Sequence, residues 1–155
     1  MAGLNIARSV DRTAARVGIE RAVETAVALG CRTCIAVIDV AGNLVSYDRM
    51  DGAPFNSAQH AQDKAVSSAG NGVATHEMWA YVADSPQLNL GILKVQGLSV
   101  LDGGVPIHIE GELVGAVGVS GSCGMAEDRA IAEAAVAAIL ASLERAPQVE
   151  APSDI

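Results

Sequence analysis

The order of the predicted helices and strands constrains the fold of this chain more than any other feature of its sequence. An amphipathic helix is predicted over residues 4–29, because apolar side chains recur there at helical spacing and Gly30 can end the helix. The run Thr33–Val40 is almost unbroken in apolar residues, as in a strand covered on both faces. A turn at Ala41–Asn43 and alternation over Leu44–Arg49 then predict a β-hairpin.

The rest of the chain contributes further helices and a second group of strands. Residues 88–98 fit either a helical turn or a loop. The predicted elements are helices from Asn56 or Ser57 to Ala69 and from Thr75 to Ala83, strands at Leu98–Leu101, Val105–Ile109 and Glu112–Val119, and a helix over Met125–Arg145. Because the strands are grouped, the pattern predicts an α+β fold with an antiparallel sheet of about five strands and helices on both faces. A doubly wound nucleotide-binding fold, with its strict alternation, is excluded.

Composition indicates a single soluble domain. Half of the 155 residues are apolar, which excludes disorder, and we expect one domain over residues 1–146 with a flexible tail over 147–155. The net charge of −8 and the four aromatic residues argue against a nucleic-acid partner. Charged residues interrupt the N-terminal segment before any signal-peptide core, and no apolar stretch is long enough for a membrane span. A cytoplasmic location without a membrane partner is therefore expected.

The three cysteines are expected to be buried free thiols. Cys31 and Cys34 form a C-x-x-C motif that follows a helix and opens a strand, whereas redox-active motifs of this kind begin a helix. A zinc site would need further ligands at matching spacing, and Cys123 stands alone, so no metal site is predicted.

Several sequence blocks resemble the GlcG/HbpS family, which also includes the C-terminal domain of PduO-type proteins. The matching residues are 37–45, 49–54, 103–107 and 111–121, with Ala61, Lys64 and Ala65 in one helix and Asp128 and Ala132 in another. The resemblance implies a profilin-like α+β sandwich that forms homo-oligomers, with a dimer building to a tetramer, hexamer or octamer. The region from Glu77 to Val100 departs from the family pattern.

The resemblance implies a small-molecule ligand without fixing which one. The family includes haem-binding proteins, a cobalamin-associated domain and hydroxylaminobenzoate lyases, so the site must decide between activities. We therefore expect a cytoplasmic oligomer that binds haem, another tetrapyrrole or a small organic acid. The alternatives are a lyase that releases ammonia from a small aromatic acid such as 4-hydroxylaminobenzoate, and an accessory protein without a ligand.

Histidine and lysine side chains are the first candidates for chemistry. His60 lies one helical turn before Lys64, so the two could transfer protons as catalytic groups, or simply belong to a polar helix face. His76 and Trp79, with Tyr81 nearby, could ligate iron or stack on an aromatic ligand, or pack at the rim of a core. His108, on a strand, is expected to be a solvated or hydrogen-bonded edge residue, with ligation of iron as the alternative. If the ligand is haem, the possible axial ligands are His60, His76 and His108.

The remaining candidates would bind an anionic group. Arg49 could hold a carboxylate with its guanidinium, or pair with Asp39, Asp51 or Asp128 to fasten the hairpin loop. Glycines punctuate the segment from Gly115 to Gly124, and their backbone amides could form an anion pocket or allow close packing. The other candidates for ligand binding are Gly104, Ser120 and Gly121. We expect the loop 49–54, the helix that carries Lys64 and the junction after Val119 to surround one shared cavity.

Overall fold

The structure is a computed structural model, and it describes residues 3, 7–92, 94–121 and 123–145. Helices and strands occur in the order predicted, apart from one strand. The elements are α1 (Arg12–Ala28), β1 (Thr33–Asp39), β2 (Leu44–Arg49), α2 (Ser57–Asn71), α3 (Thr75–Val82), α4 (Pro86–Ile92), β3 (Gly104–Ile109), β4 (Glu112–Gly121) and α5 (Met125–Arg145). The α+β class is confirmed.

The described residues form one antiparallel sheet of four strands in the order β2-β1-β4-β3, so the prediction of five strands is wrong. The segment Leu98–Leu101, predicted to be a strand, does not join the sheet. Two of its backbone amides bond to serine side chains instead: the amide of Ser99 donates to Oγ of Ser67 at 2.7 Å, and the amide of Leu101 donates to Oγ of Ser99 at 3.3 Å. Local apolar character alone therefore did not make a strand here.

Helices cover both faces of the sheet, as predicted. The side chains of Ile35 and Val37 on β1 pack into the cluster that includes α1 and α5. The alternate residues Cys34 and Ala36 pack against Ala61 of α2 on the other face. Because β1 is central and covered on both sides, its sequence is apolar almost without interruption.

Glycine allows α2 to approach the sheet closely. A Cβ added to Gly118 on β4 would overlap the backbone of Ala61 and Ala65 on α2. A Cβ added to Gly104 at the start of β3 would overlap the carbonyl oxygen of Lys64. At Gly118 the structure displays the close-packing role that the sequence offered as an alternative, and Gly104 packs in the same way, while its ligand-binding role stays a prediction.

The helix boundaries differ from the predictions where local hydrogen bonds decide them. The first helix begins at Arg12 rather than residue 4, because the carboxylate of Asp11 accepts the amide of Ala14 at 2.8 Å and caps the helix there. Part of the ambiguous region 88–98 belongs to α4. The predicted tail, 147–155, lies outside the described residues. No helix in the described part of the chain is long and apolar enough to cross a membrane.

Candidate functional site

A buried ion pair joins α2 to the beginning of α5. Nζ of Lys64 lies 2.9 Å from the Asp128 carboxylate and 2.9 Å from the carbonyl oxygen of Val119, and donates to both. The two side chains are only 2% and 7% exposed. The backbone amide of Gly121 donates to the same carboxylate. Lys64, a candidate for proton transfer, is thus held in the interior by two acceptors.

Burial acts against the ionised form of Asp128 in spite of this pairing. Burial raises the pKa of Asp128 above its usual value, and it outweighs the opposite effects of the Lys64 charge and of the hydrogen bonds from Lys64 and Gly121. Gly103 closes over the pair, since a Cβ there would lie 3.2 Å from the lysine nitrogen. The neighbouring Gly104 is buried, and its amide donates to Oγ1 of Thr75 at 3.0 Å.

The structure does not bring His60 to the ammonium group of Lys64. Both residues lie on α2, but His60 is exposed while Lys64 extends into the interior towards Val119 and Asp128.

Arg49 fastens the hairpin loop through a backbone carbonyl rather than a carboxylate. Its Nε donates to the carbonyl oxygen of Ala53 at 3.2 Å. The predicted pairing with an aspartate is wrong within the described residues: Asp39 bonds to its own turn, Asp128 bonds to Lys64, and Asp51 makes no ion pair. The carboxylate-binding role of Arg49 stays a prediction.

The three segments expected to share a cavity do meet, but side chains fill the space between them. Cys34 lies opposite Arg49 on one side and Ser120 on the other, so the three side chains share the sheet face that α2 covers. Ala53 and Ala61 pack there against Cys34, and all three are at most 3% exposed. Ser120 is buried too, and Gly121 lies at the end of the same strand. Their ligand-binding roles stay predictions.

An apolar cleft lies instead between α3, α4 and the segment that follows them. Its volume is about 850 Å³, within the usual range for small-molecule sites. Most of its lining side chains are aliphatic, and among the described lining residues Glu77 carries the one charge. The cleft is lined by Asn71, Val73, Glu77, Met78, Tyr81, Val82, Gln87, Leu88, Gly91, Ile92, Val95 and Leu98. Tyr81 is the lining residue that was also a candidate from the sequence. The second wall was not predicted, because residues 88–98 fitted either a helical turn or a loop.

His76 and Trp79 lie on α3 but do not line this cleft. Trp79 is 47% exposed, and His76 is half-buried with an Nδ1 atom that has no hydrogen-bond partner among the described residues. His108 is exposed on β3, beside a separate cleft of about 580 Å³ where Arg8 pairs with Glu110. The three histidines thus lie on three different elements, α2, α3 and β3.

A disulfide bond joins Cys31 and Cys123, so the prediction of three free thiols is wrong for these two. The cause is the sheet register: Thr33 on β1 lies opposite Gly121 on β4, and each cysteine is two residues beyond that pair. Their Cα atoms are 5.4 Å apart, within the usual span of a disulfide. Cys34 is the free, buried cysteine.

These features define an α+β domain with a four-stranded antiparallel sheet, a buried Lys–Asp pair and an apolar cleft. The chain belongs to the HbpS-like family, described as haem degrading protein HbpS-like, whose model matches residues 10–137. The resemblance predicted from the sequence is confirmed. An uncharacterised 15.0 kDa protein from the dhaT–dhaS intergenic region of Citrobacter freundii is 32% identical over 125 residues, which are 79% of this chain and 87% of that protein.

Solved structures agree with this assignment. A double mutant of HbpS from Streptomyces reticuli has a TM-score of 0.80 and 29% identity, covering 88% of this chain and 91% of that one. The structure described as a PduOC–haem complex has a TM-score of 0.73 and 26% identity, covering 84% of this chain and 94% of that one.

Proposed function

We propose that this protein binds a small, flat, apolar ligand in the cleft between α3 and α4, and that the ligand is haem or another tetrapyrrole. The observation that carries the proposal is the cleft itself: about 850 Å³, with mainly aliphatic walls. Ligand sites are concave and mostly apolar, with a few polar groups that orient the ligand. The haem complex of the related PduOC structure supports the same ligand class.

The lining residues fit a tetrapyrrole. Leu88, Ile92 and Val82 supply apolar walls for a macrocycle. Tyr81 and Met78 have side chains of the types that ligate haem iron in proteins. No lysine or arginine is among the described lining residues, so acidic substituents of the ligand would lie at the mouth of the cleft, in water. When bound, haem would supply an iron centre that this chain's own residues do not provide.

Titration with haemin tests the proposal, and two helical glycines offer a matched pair of variants. Gly91 lines the cleft, Gly70 lies on α2 and does not line it, and a Cβ at either position would meet no atom within 4 Å. We expect a saturable Soret shift in the wild type and in Gly70→Leu. In Gly91→Leu the new side chain occupies the cleft, so we expect the affinity to fall at least tenfold. If Gly70→Leu and Gly91→Leu bind haemin with the same affinity, haemin does not bind in this cleft.

The second ligand class, a small organic acid, and the alternative lyase activity are less well supported. The carboxylate of a small organic acid would lie inside the cleft, where the one charged group among the described lining residues is also a carboxylate, whereas the carboxylates of haem can reach the water at its mouth. Lys64, nominated for proton transfer in a lyase, is buried and donates to Asp128 and Val119. Release of ammonia from 4-hydroxylaminobenzoate by the wild-type protein would nevertheless favour the lyase over the binding protein.

The proposal includes a homo-oligomeric state and a cytoplasmic location. Large apolar side chains such as Phe55, which is 82% exposed, and Leu90, which is 65% exposed, would be covered by subunit contacts. Light scattering on the purified protein tests the oligomer. The Cys31–Cys123 disulfide bond speaks against the cytoplasmic location, because disulfide bonds rarely persist in a reducing cytoplasm. Alkylation of thiols in intact cells decides: labelling of all three cysteines supports the cytoplasm, and labelling of Cys34 alone supports an oxidising compartment.

A further inference from the structure

We propose that the hydroxyl oxygen of Tyr81 ligates the iron of haem in the α3–α4 cleft, as a phenolate. The cleft therefore takes ferric haem in preference to ferrous haem or to the macrocycle without iron. The inference rests on the proposed function, because it concerns the ligand of the same cleft. It goes beyond that function by assigning the atom that binds the iron and the oxidation state that the site prefers.

Tyr81 carries the haem-ligating atom that is open to a ligand among the described lining residues. Histidine and cysteine are absent from that set, and tyrosine and methionine are the haem-ligating residue types that it contains. Tyr81 is 77% exposed, and its hydroxyl group makes no hydrogen bond within the described residues. Met78 is only 8% exposed, because it forms part of the inner wall of the cleft. The phenol oxygen is thus the more accessible of the two donor atoms.

The two candidate donors lie on the same wall of the cleft. Met78 and Tyr81 are three residues apart on α3, so they lie within one turn of that helix. The opposite wall is formed by α4. Its lining residues are Gln87, Leu88, Gly91 and Ile92. None of these is a usual haem ligand, so a macrocycle between the helices receives a protein ligand from α3 alone.

The apolar walls favour ferric over ferrous iron when the ligand is a phenolate. The iron–macrocycle core carries one positive charge in the ferric state and none in the ferrous state. A phenolate on ferric iron therefore forms a neutral unit, whereas on ferrous iron it would bring an uncompensated negative charge against Met78, Val82 and Leu88. No lysine or arginine among the described lining residues compensates that charge. The oxidation state of the iron thus controls the affinity.

Ligation releases one proton, and reduction takes one back. As the oxygen of Tyr81 bonds to ferric iron, its hydroxyl proton passes to water and a water ligand leaves the iron. When one electron from an added reductant such as dithionite converts ferric to ferrous iron, the iron–oxygen bond breaks and the phenolate takes a proton from water. The affinity for ferric haem should therefore increase with pH, as for other ligands that must be deprotonated to bind.

The two tyrosines of the chain provide a matched pair of variants. Tyr81→Phe removes the ligating oxygen and keeps the aromatic ring at an exposed position, so the fold should be retained. Tyr47→Phe removes the same atom from β2, where the hydroxyl group bonds to the side chain of Cys34 and does not line the cleft. A difference between the two variants therefore reports on the cleft.

Haemin and protoporphyrin IX test the inference, because they share the macrocycle and its carboxylates and only haemin contains iron. We expect an iron–phenolate band in the resonance Raman spectrum of haemin bound to the wild type and to Tyr47→Phe. Tyr81→Phe should lack that band and bind haemin at least about tenfold more weakly, since even groups that support a metal ligand contribute roughly 10–100-fold. Protoporphyrin IX should bind equally to all three proteins. Dithionite should lower the affinity of the wild type for haem to that of Tyr81→Phe.

Failure of the inference can be distinguished from failure of the proposed function. If protoporphyrin IX binds to the wild type and not to Gly91→Leu, the cleft is a binding site. A wild-type spectrum without the iron–phenolate band, or a haemin affinity that Tyr81→Phe leaves unchanged, then overturns ligation by Tyr81 and leaves the proposed function standing. Equal wild-type affinities for ferric and ferrous haem overturn the inference in the same way. If Gly91→Leu binds protoporphyrin IX like the wild type, the cleft is not the site and both proposals fail.

Discussion

The ammonium group of Lys64 and the carboxylate of Asp128 lie 2.9 Å apart in a pair that is almost completely buried. Removing one partner of such a pair leaves an uncompensated charge in the interior. We expect Lys64→Met to lower the free energy of unfolding by about 3–5 kcal/mol, measured by urea denaturation. The double variant Lys64→Met, Asp128→Leu should recover most of that loss.

An exposed ion pair on α5 provides the control for this prediction. Arg129 donates to Glu133 at 2.7 Å, with both side chains largely in solvent. Arg129→Ala should lower the free energy of unfolding by less than about 1 kcal/mol. If Lys64→Met costs no more than Arg129→Ala, the pair between α2 and α5 does not hold the fold as described.

Gly118 should tolerate no side chain. A Cβ there would overlap the backbone of Ala61 and Ala65, so α2 would have to move away from the sheet. We expect Gly118→Ala to destabilise the protein by about 1–3 kcal/mol or more in urea denaturation. In Gly91→Ala the added methyl group meets no atom within 4 Å, and the helical position should gain about 0.5–1 kcal/mol. Similar stabilities for the two variants would show that the close packing of α2 is incorrect.

Protonation of Asp39, in the turn between β1 and β2, should lower the stability of the fold in acid. Burial acts to raise the pKa of Asp39, but the hydrogen bonds from Asn43, Ala41 and Gly42 outweigh it and hold the pKa below its ordinary value of 3.8. A folded-state pKa below the unfolded value stabilises the fold above pH 3.8, and this contribution is lost as the pH falls through the folded-state pKa.

Thermal unfolding between about pH 6 and pH 3 measures this effect. We expect Asp39→Asn to lower the melting temperature near neutral pH and to reduce its fall in acid. Asp51→Asn removes the same charge from a carboxylate that makes no ion pair among the described residues, and it should follow the wild-type profile. If the melting temperature of Asp39→Asn depends on pH as that of the wild type does, the hydrogen bonds described for the turn are contradicted.

The Cys31–Cys123 bond predicts a thiol count and a stability difference. In denaturant, the oxidised protein should expose one reactive thiol, that of Cys34, and the reduced protein three. The bond joins residues 92 positions apart, so its reduction should lower the free energy of unfolding by about 4–5 kcal/mol in the chain-entropy account. Three reactive thiols without reductant would mean that the bond does not form.

The sequence predicted the elements with strong local signals and missed features that depend on the assembled sheet. The apolar run before Val40 and the turn after it were sufficient for the β1–β2 hairpin. The segment Leu98–Leu101 was misassigned because the hydroxyl of Ser67, more than thirty residues earlier, accepts its backbone amide at Ser99. The disulfide bond needed the register of Thr33 against Gly121, which no local pattern reveals.

In the candidate site too, residues with a local signal were identified, and contacts between distant residues were missed. Lys64 and Asp128 were both identified in the family blocks, but their contact joins residues 64 positions apart and follows from the packing of α2 over β4. The apolar cleft was missed because its walls come from the region between Glu77 and Val100, which departs from the family pattern and has ambiguous periodicity. A ligand specific to this chain would be bound in that region.

A crystal structure of the haemin-loaded protein tests the central claim most directly. The account predicts electron density for the macrocycle between α3 and α4, in contact with Met78 and Leu88 and with its acidic groups at the mouth of the cleft. Density for the macrocycle at a surface remote from these helices, with the α3–α4 cleft empty, would contradict it.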